Sequence, residues 1–232
     1  MFSATFNRQK LQSAVIKEIF SENYNFEQGT IPANSQVNGS AQFDVGTVLG
    51  QVLFGTPTVA AKAGGNTGNG TFTIDPATPL LANAMAGTYQ ARCIAAAANN
   101  GTFRFTDPRG RVLADVVMSG GSGVFADLIK GTLADGTTDF VVGDGFDITV
   151  PAGSGKYVPH DEAALDGSQF AAAVVGRNTK VSASVDTPVV LLKRGPAVVV
   201  ADSLVWKTGI SAAGLAAGLA ALAAAGIVSR NF

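Results

Sequence analysis

Short runs of β-branched and aromatic residues recur along residues 71–150, and dipeptides that favour tight turns separate them. The turn dipeptides are Asn100-Gly101, Arg109-Gly110, Asp135-Gly136 and Asp144-Gly145. The strands that this pattern predicts are Thr71–Ile74, Thr88–Ala96, Thr102–Phe105, Val112–Met118, a run from Phe125 to Leu133, Phe140–Val142 and Phe146–Val150. Such spacing leaves no room for long helices and is typical of a small β-sandwich or barrel. Alternating Phe103, Phe105, Phe140 and Phe146 are expected to form its core.

Glycine-rich segments flank this strand series on both sides. One ends in Gly64–Gly70, and the other is Ala152–Gly155. Because insertions are tolerated at exposed loop tips, we expect a β-domain at 56–153 inserted into a core formed by 24–55 and 154–232. Residues 1–23 are expected to form an N-terminal arm. The predicted fold class is mainly β, with one alanine-rich helix at the C-terminal end.

The core regions also favour strands. Asn38-Gly39 is a type I′ turn signal between two extended runs of the first part. The runs expected in the second part are Phe170–Val175, Val181–Val185, Val189–Leu192 and Ala197–Val200. The C-terminal helix is expected after Ser211 as N-cap, with Gly226 at the C′ position.

The apolar stretch Ala212–Val228 is shorter than the ~20 residues of a membrane span and is built of Ala and Gly. It therefore predicts a helix of about four turns rather than a membrane anchor. Leu215, Leu219 and Leu222 would form its buried stripe.

The arm shows a helical period between Gln9 and Glu22, with apolar residues at Leu11, Val15 and Ile19. An isolated helix of this length is marginal in water, so the segment needs a surface to bind. Two alternatives stay open: the arm packs on its own domain, or it docks on a partner.

Charged residues make up 14% of the chain, against ~25% for an average soluble domain, and the net charge is −1. Low charge favours burial of surface in an assembly, although a surface of Ser, Thr, Asn and Gly would serve a monomer. The absence of clustered basic residues argues against nucleic acid as a partner. The start, Met1–Phe6, lacks a secretory signal, which predicts folding in a reducing host cytoplasm.

Residues suited to catalysis or metal binding are scarce. A single histidine, His160, and a single cysteine, Cys93, exclude the usual zinc sets and leave a catalytic triad without support. His160 is interpreted as a loop residue and Cys93 as a buried thiol in a strand. The segment Gly64–Gly70 lacks the ending of a phosphate loop, and Asp144 and Asp147 are too few acidic ligands for calcium. We predict no catalytic residue, no cofactor and no enzyme activity.

Several segments recur in a characteristic order: Gly46–Val52 upstream, and then Lys156–Asp161, Asp166–Gln169, Ala171–Val175, Val189–Ala197, Ala201–Trp206 and Leu219–Val228. Through these segments the chain resembles the lambda-D-like family of phage head decoration proteins. The segments lie in 24–55 and 154–232, and their order and combination give the resemblance its specificity. The long arm and the insert depart from the compact family pattern.

The resemblance implies a homotrimer on the outer surface of the virion head, at three-fold positions, that cements the shell. It also implies an arm ordered by the major capsid protein, for which the candidate contact residues are Phe2, Phe6, Leu11, Val15, Ile19 and Phe20. Deleting residues 1–20 is then expected to abolish capsid binding and leave a folded protein. The alternative is a phage surface or tail module that binds host glycans through the insert.

Overall fold

The computed structural model describes residues 15–19, 25–81 and 83–231. The described residues are mainly β, with 45% of them in strands and 9% helical, which confirms the predicted fold class. It divides into two compact units. Unit 1 comprises the described residues up to Leu53 and from Ser154 onward, and unit 2 is Phe54–Gly153.

The described residues form 18 strands and one α-helix. The strands are β1 (Ile16–Ile19), β2 (Phe26–Ile31), β3 (Gln42–Phe43), β4 (Val48–Gln51), β5 (Thr58–Ala61), β6 (Thr71–Ile74), β7 (Gly87–Ala97), β8 (Asn100–Thr106), β9 (Val112–Val117), β10 (Ser122–Ala126), β11 (Lys130–Ala134), β12 (Gly145–Val150), β13 (Tyr157–Pro159), β14 (Ala171–Val175), β15 (Thr179–Lys180), β16 (Thr187–Leu192), β17 (Ala197–Val200) and β18 (Ile227–Arg230). The helix α1 is Ala212–Ala224.

Unit 1 is organised around a five-stranded antiparallel sheet with the order β13-β4-β14-β16-β2. Neighbouring residues on its strands belong to different apolar clusters. Val48, Val174 and Leu192 join one cluster, whereas the adjacent Leu49, Val175 and Leu191 join the other. Because successive side chains of a strand point to opposite faces, this sheet is buried on both sides. That burial explains the continuous apolar run of its central strand β14, Ala171–Val175.

The first cluster is completed by a second sheet and by α1. This sheet has the order β1-β17-β18, with β1 antiparallel and β18 parallel to β17. Val199 of β17 and Leu222 of α1 pack in the same cluster. A third pairing, β3 with β15, lies in unit 1 as well.

The helix α1 begins as predicted and buries part of the predicted stripe. The Ser211 hydroxyl accepts a hydrogen bond from the Gly214 N–H, and Gly226 has a φ of +81°, so both caps are confirmed. Leu222 is buried and Leu219 packs against the first cluster, as predicted, but Leu215 is exposed and the other buried residues are Gly214 and Gly218. A Cβ atom on Gly218 would lie 2.6 Å from the Trp206 ring. The helix packs through its glycines because that ring needs the space. In the described part of the chain, no helix is long and apolar enough to cross a membrane.

Unit 2 consists of two antiparallel sheets around one aromatic core. The sheets have the orders β5-β12-β7-β8-β9 and β10-β11-β6. Phe105 of β8 stacks on Phe125 of β10 at a centroid distance of 3.9 Å and therefore joins the sheets. The four phenylalanines proposed as the core are all buried there, Phe103 and Phe140 edge to face at 4.9 Å. Two layers around a shared core correspond to a β-sandwich.

Several predicted strands end elsewhere than the sequence pattern suggested. Phe140–Val142 and Val181–Val185 lie in loops, although Phe140 and Val181 are buried. The run from Phe125 to Leu133 is interrupted between β10 and β11. Four strands, β5, β13, β15 and β18, were not predicted, and β1 lies where a helix was predicted. β5 consists of Thr, Val and Ala with mostly exposed side chains, so it carries little apolar alternation.

Turn positions were predicted with mixed success. Asn38 and Gly39 have φ values of 52° and 79°, which confirms the type I′ turn. In the β7–β8 hairpin, however, Asn100 already pairs with Ala97, and the left-handed residue is Asn99 with φ 54°. The turn therefore ends at Asn99, directly before the Asn100-Gly101 dipeptide.

Candidate functional site

The N-terminal segment enters unit 1 as a strand. β1 pairs antiparallel with β17, with Ile16 opposite Val199 and Ile19 opposite Ala197. The prediction of a helix from Gln9 to Glu22 is therefore wrong over 16–19. A strand forms here because pairing with β17 satisfies its backbone groups. A short helix would be only marginally stable by itself.

The structure places the six candidate arm residues differently from one another. Val15 is buried in the first cluster of unit 1, beside Ile16, which is 5% exposed. Val15 is thus committed to the packing of its own chain and is not free for a partner while this packing holds. Ile19 lies in β1. Phe2, Phe6, Leu11 and Phe20 lie outside the described residues.

Among the strands that the structure describes, β1 lies at the edge of its sheet, with β17 as its single neighbour. An edge strand presents N–H and C=O groups that can pair with another chain. At this edge, Val15 and Ile16 are held in the core, and the backbone groups of β1 are suited to pairing with another strand.

Unit 1 also has apolar side chains that are exposed outside the arm. Phe170 and Val185 are the most prominent, and Leu215 and Val228 lie on or next to α1. The exposed face of α1 is otherwise alanine, without a charged group along its 13 residues. The exposure of Phe170 was not predicted, because this residue directly precedes a strand whose apolar pattern suggested burial.

A cleft of about 420 Å³ in unit 2 lies between β9 and β10. These consecutive strands form a bridge between Ser119 and Ser122 and then diverge into different sheets. Val117 and Val124 line the cleft and are 72% and 61% exposed. None of the described aromatic rings of unit 2 is exposed, so these residues offer no stacking surface for a sugar.

Asp144, considered above as a calcium ligand, holds the glycine-rich segment in place. Its carboxylate is 2% exposed and accepts hydrogen bonds from the N–H groups of Thr67, Gly68 and Val141 at 2.9–3.1 Å. Burial alone would raise the pKa of Asp144, but these N–H groups outweigh it and the pKa is lowered. The segment is therefore fastened to the β12 loop rather than acting as a free linker.

A polar hollow of about 530 Å³ in unit 1 is lined by the Asn38-Gly39 turn, the loop after β13 and Lys207. Its charged groups are already paired, Asp161 with Lys207, and Asp166 with the Ser168 hydroxyl. Among the residues described, no three His, Cys, Asp or Glu side chains gather in a way that could hold a metal ion.

The two residues most suited to chemistry are both buried. Cys93 is 2% exposed, which confirms the expected buried thiol, and burial raises its pKa. His160 follows β13 in a loop, as predicted, but its side chain is 1% exposed, which the sequence did not indicate. Burial lowers the pKa of His160, although the Gln169 carbonyl, Asp161 and Glu162 favour the charged form.

A model of the family described as bacteriophage lambda head decoration protein D matches residues 5–227 of the chain. The match spans almost the whole sequence, including the residues of unit 2, and confirms the resemblance carried by the two parts of unit 1. Neither the curated proteins nor the solved structures include a match to this chain.

Proposed function

Because the chain belongs to the family of bacteriophage lambda head decoration protein D, we propose that it binds the outer surface of a phage head and stabilises the shell. Decoration of a head is a structural role, which fits the burial of both His160 and Cys93. The proposed partner is the major capsid protein. The proposed arrangement is a homotrimer at three-fold positions, where three equal contacts reinforce one another through effective concentration.

The observation that carries the proposed mode of binding is the strand β1 at a sheet edge. It anchors the N-terminal segment through Val15 and Ile16, so the preceding residues start from a fixed point. These residues include Phe2, Phe6 and Leu11, together with Arg8 and Lys10. We infer that they pair with the capsid protein and that the apolar side chains supply most of the contact.

The position of β1 in unit 1 calls for a shorter deletion than residues 1–20 to test this contact. Removing residues 1–20 would remove β1 and open the core of unit 1, so a loss of binding would have two explanations. A deletion of residues 1–13 leaves Val15 and Ile16 in place. The double variant Phe2→Ser, Phe6→Ser tests the same contact without shortening the chain, and Val117→Ser in unit 2 is the matched control for loss of an apolar side chain.

Each protein is mixed with expanded empty shells and sedimented. We expect the control to cosediment like the unmodified protein. Both arm variants should bind about a hundredfold more weakly or worse, since burial of a Phe side chain contributes about 1.5–3 kcal/mol and 1.4 kcal/mol corresponds to tenfold. Arm variants that bind like the control would contradict the proposed contact.

Stabilisation of the shell is tested separately on heads from which the protein has been removed. Heads without it should release DNA at a lower temperature, and adding the unmodified protein should restore the release temperature. Intact heads with lost adsorption to host cells would instead support the glycan-binding alternative. That alternative lacks a stacking platform in the described part of unit 2.

A further inference from the structure

His160 is the single histidine of the chain and lies fully inside unit 1. Its backbone N–H donates to the Val48 carbonyl at 3.1 Å, which fixes the loop after β13 on β4. Its ring Nε2 lies 3.0 Å from the Gln169 carbonyl oxygen. Because that oxygen can only accept, the neutral ring carries its proton on Nε2. Nδ1 is buried and has no hydrogen-bond partner among the described residues.

The His160 ring is coupled to α1 through the single tryptophan. Trp206 meets it edge to face, with ring centroids 5.3 Å apart. The indole also lies against Gly218 of α1, where a Cβ atom would come within 2.6 Å of the ring. His160, Trp206 and Gly218 thus form a stack, named here the His–Trp–Gly stack, that connects the loop to the helix.

The residues that follow His160 hold the beginning of α1. The Glu162 carboxylate accepts hydrogen bonds from the N–H and the hydroxyl of Ser211, both at 2.7 Å, and Ser211 is the N-cap. Asp161 forms an ion pair with Lys207, next to Trp206. One loop therefore contacts the N-terminal half of the helix both through the stack and through the cap.

A second proton on His160 would have no acceptor among the described residues. It would reside on Nδ1, and an unpaired charge inside a packed unit carries a large cost. The charged groups nearby are Asp161, Glu162 and Lys207, whereas α1 contributes no titratable side chain. Both carboxylates are engaged, one by Lys207 and the other by Ser211, and neither bonds to the ring.

We propose that His160 acts as an acid-sensitive lock on α1. When the ring takes up its second proton, the His–Trp–Gly stack opens, the loop leaves its position, and the N-terminal half of α1 detaches from unit 1. The released face would expose apolar residues of the first cluster. This behaviour belongs to unit 1 itself and does not depend on the proposed role on a phage head.

The chain offers two unambiguous reporters for this lock. The imidazole resonances in an NMR titration belong to His160, and the tryptophan emission belongs to Trp206, because each residue occurs once. We expect the ring to titrate with a midpoint below the ~6.5 of an exposed imidazole, since burial lowers its pKa. Trp206 emission should shift to longer wavelength with the same midpoint. A midpoint at or above ~6.5 would overturn the proposal.

Hydrogen exchange measures the helix itself. After correction for the intrinsic pH dependence, amides of the N-terminal half of α1 should lose protection with the midpoint of the ring, while amides of β7 and β8 in unit 2 keep theirs. The matched variant is His160→Gln, whose amide can still donate to the Gln169 carbonyl but takes up no proton. Its α1 should stay protected through the titration range.

Loss of α1 protection in His160→Gln with the wild-type pH dependence would overturn the lock. If that variant does not fold, the unmodified protein decides: a common midpoint for ring, indole and α1 amides supports the proposal. Helix protection that is lost at a different midpoint from the ring overturns it.

Discussion

Replacing Ile16 by Ala separates the anchor of the N-terminal segment from its proposed binding part. Ile16 is 5% exposed and packs in the first cluster of unit 1, opposite Val199 across the β1–β17 ladder. The substitution removes three carbon atoms, which costs about 2.4 kcal/mol in transfer free energy, and the cavity raises the total to about 2.5–4 kcal/mol. A slope of about 2 kcal/mol per M in urea turns this into a midpoint lower by about 1–2 M.

Trp206 fluorescence is the assay, because the single tryptophan lies in unit 1 and reports its unfolding. Leu11→Ala is the matched control. If Leu11 belongs to the proposed capsid-binding part, its replacement changes the free energy of unfolding by less than about 0.5 kcal/mol but weakens binding to shells. An unchanged urea midpoint for Ile16→Ala would refute the assignment of β1 to the core.

Three further predictions concern unit 2 and the response to acid. Asp144→Asn should lower the free energy of unfolding by about 2–4 kcal/mol, because the new NH₂ group faces backbone donors, and thermal unfolding measures it. Asp139→Asn, with one exposed backbone bond, is its control and should change little. Phe105→Ala should cost about 3–5 kcal/mol, seen as faster hydrogen exchange of β8 amides, and unchanged exchange would speak against the shared core. The pKa of Asp75 is lowered to about 2, mainly by its hydrogen bond from Lys130, so its stabilising contribution is present above pH 3.8 and is lost as pH falls toward about 2. In Asp75→Asn the unfolding temperature should therefore depend less on pH in this range, and an equal dependence would count against the ion pair.

Features set by local chemistry could be predicted from the sequence. Asn38-Gly39 forms the type I′ turn because Asn and Gly accept a positive φ, and Ser211 and Gly226 cap α1 for equally local reasons. The mainly β fold followed from the regular alternation of short apolar runs with turn residues.

Features set by tertiary packing could not be predicted. The apolar period of 9–22 suggested a helix, but β17 offered β1 a ladder, and tertiary pairing outweighed the local preference over 16–19. Phe140 is buried although it lies in a loop, because its ring fills space in the aromatic core and this does not require its backbone to belong to a strand. The leucines of α1 indicated the burial of Leu219 and Leu222 but not that of Gly218, where the bulk of Trp206 needs a residue without a side chain.

Only part of the candidate site could be found in the sequence. The N-terminal segment was identified by its apolar residues, but the boundary between anchor and free chain at Val15 depends on burial. Nothing in the local sequence of His160 shows that its ring lies inside unit 1. Its burial arises from Gln169 and Trp206, which are distant in sequence.

The most direct test of the account is a cryo-electron microscopy reconstruction of mature heads assembled with and without this protein. We predict additional density on the outer surface at three-fold positions, arranged as three copies, with residues 1–14 running along the major capsid protein beneath unit 1. Heads whose exterior is the same with and without the protein, or density confined to the tail, would contradict it.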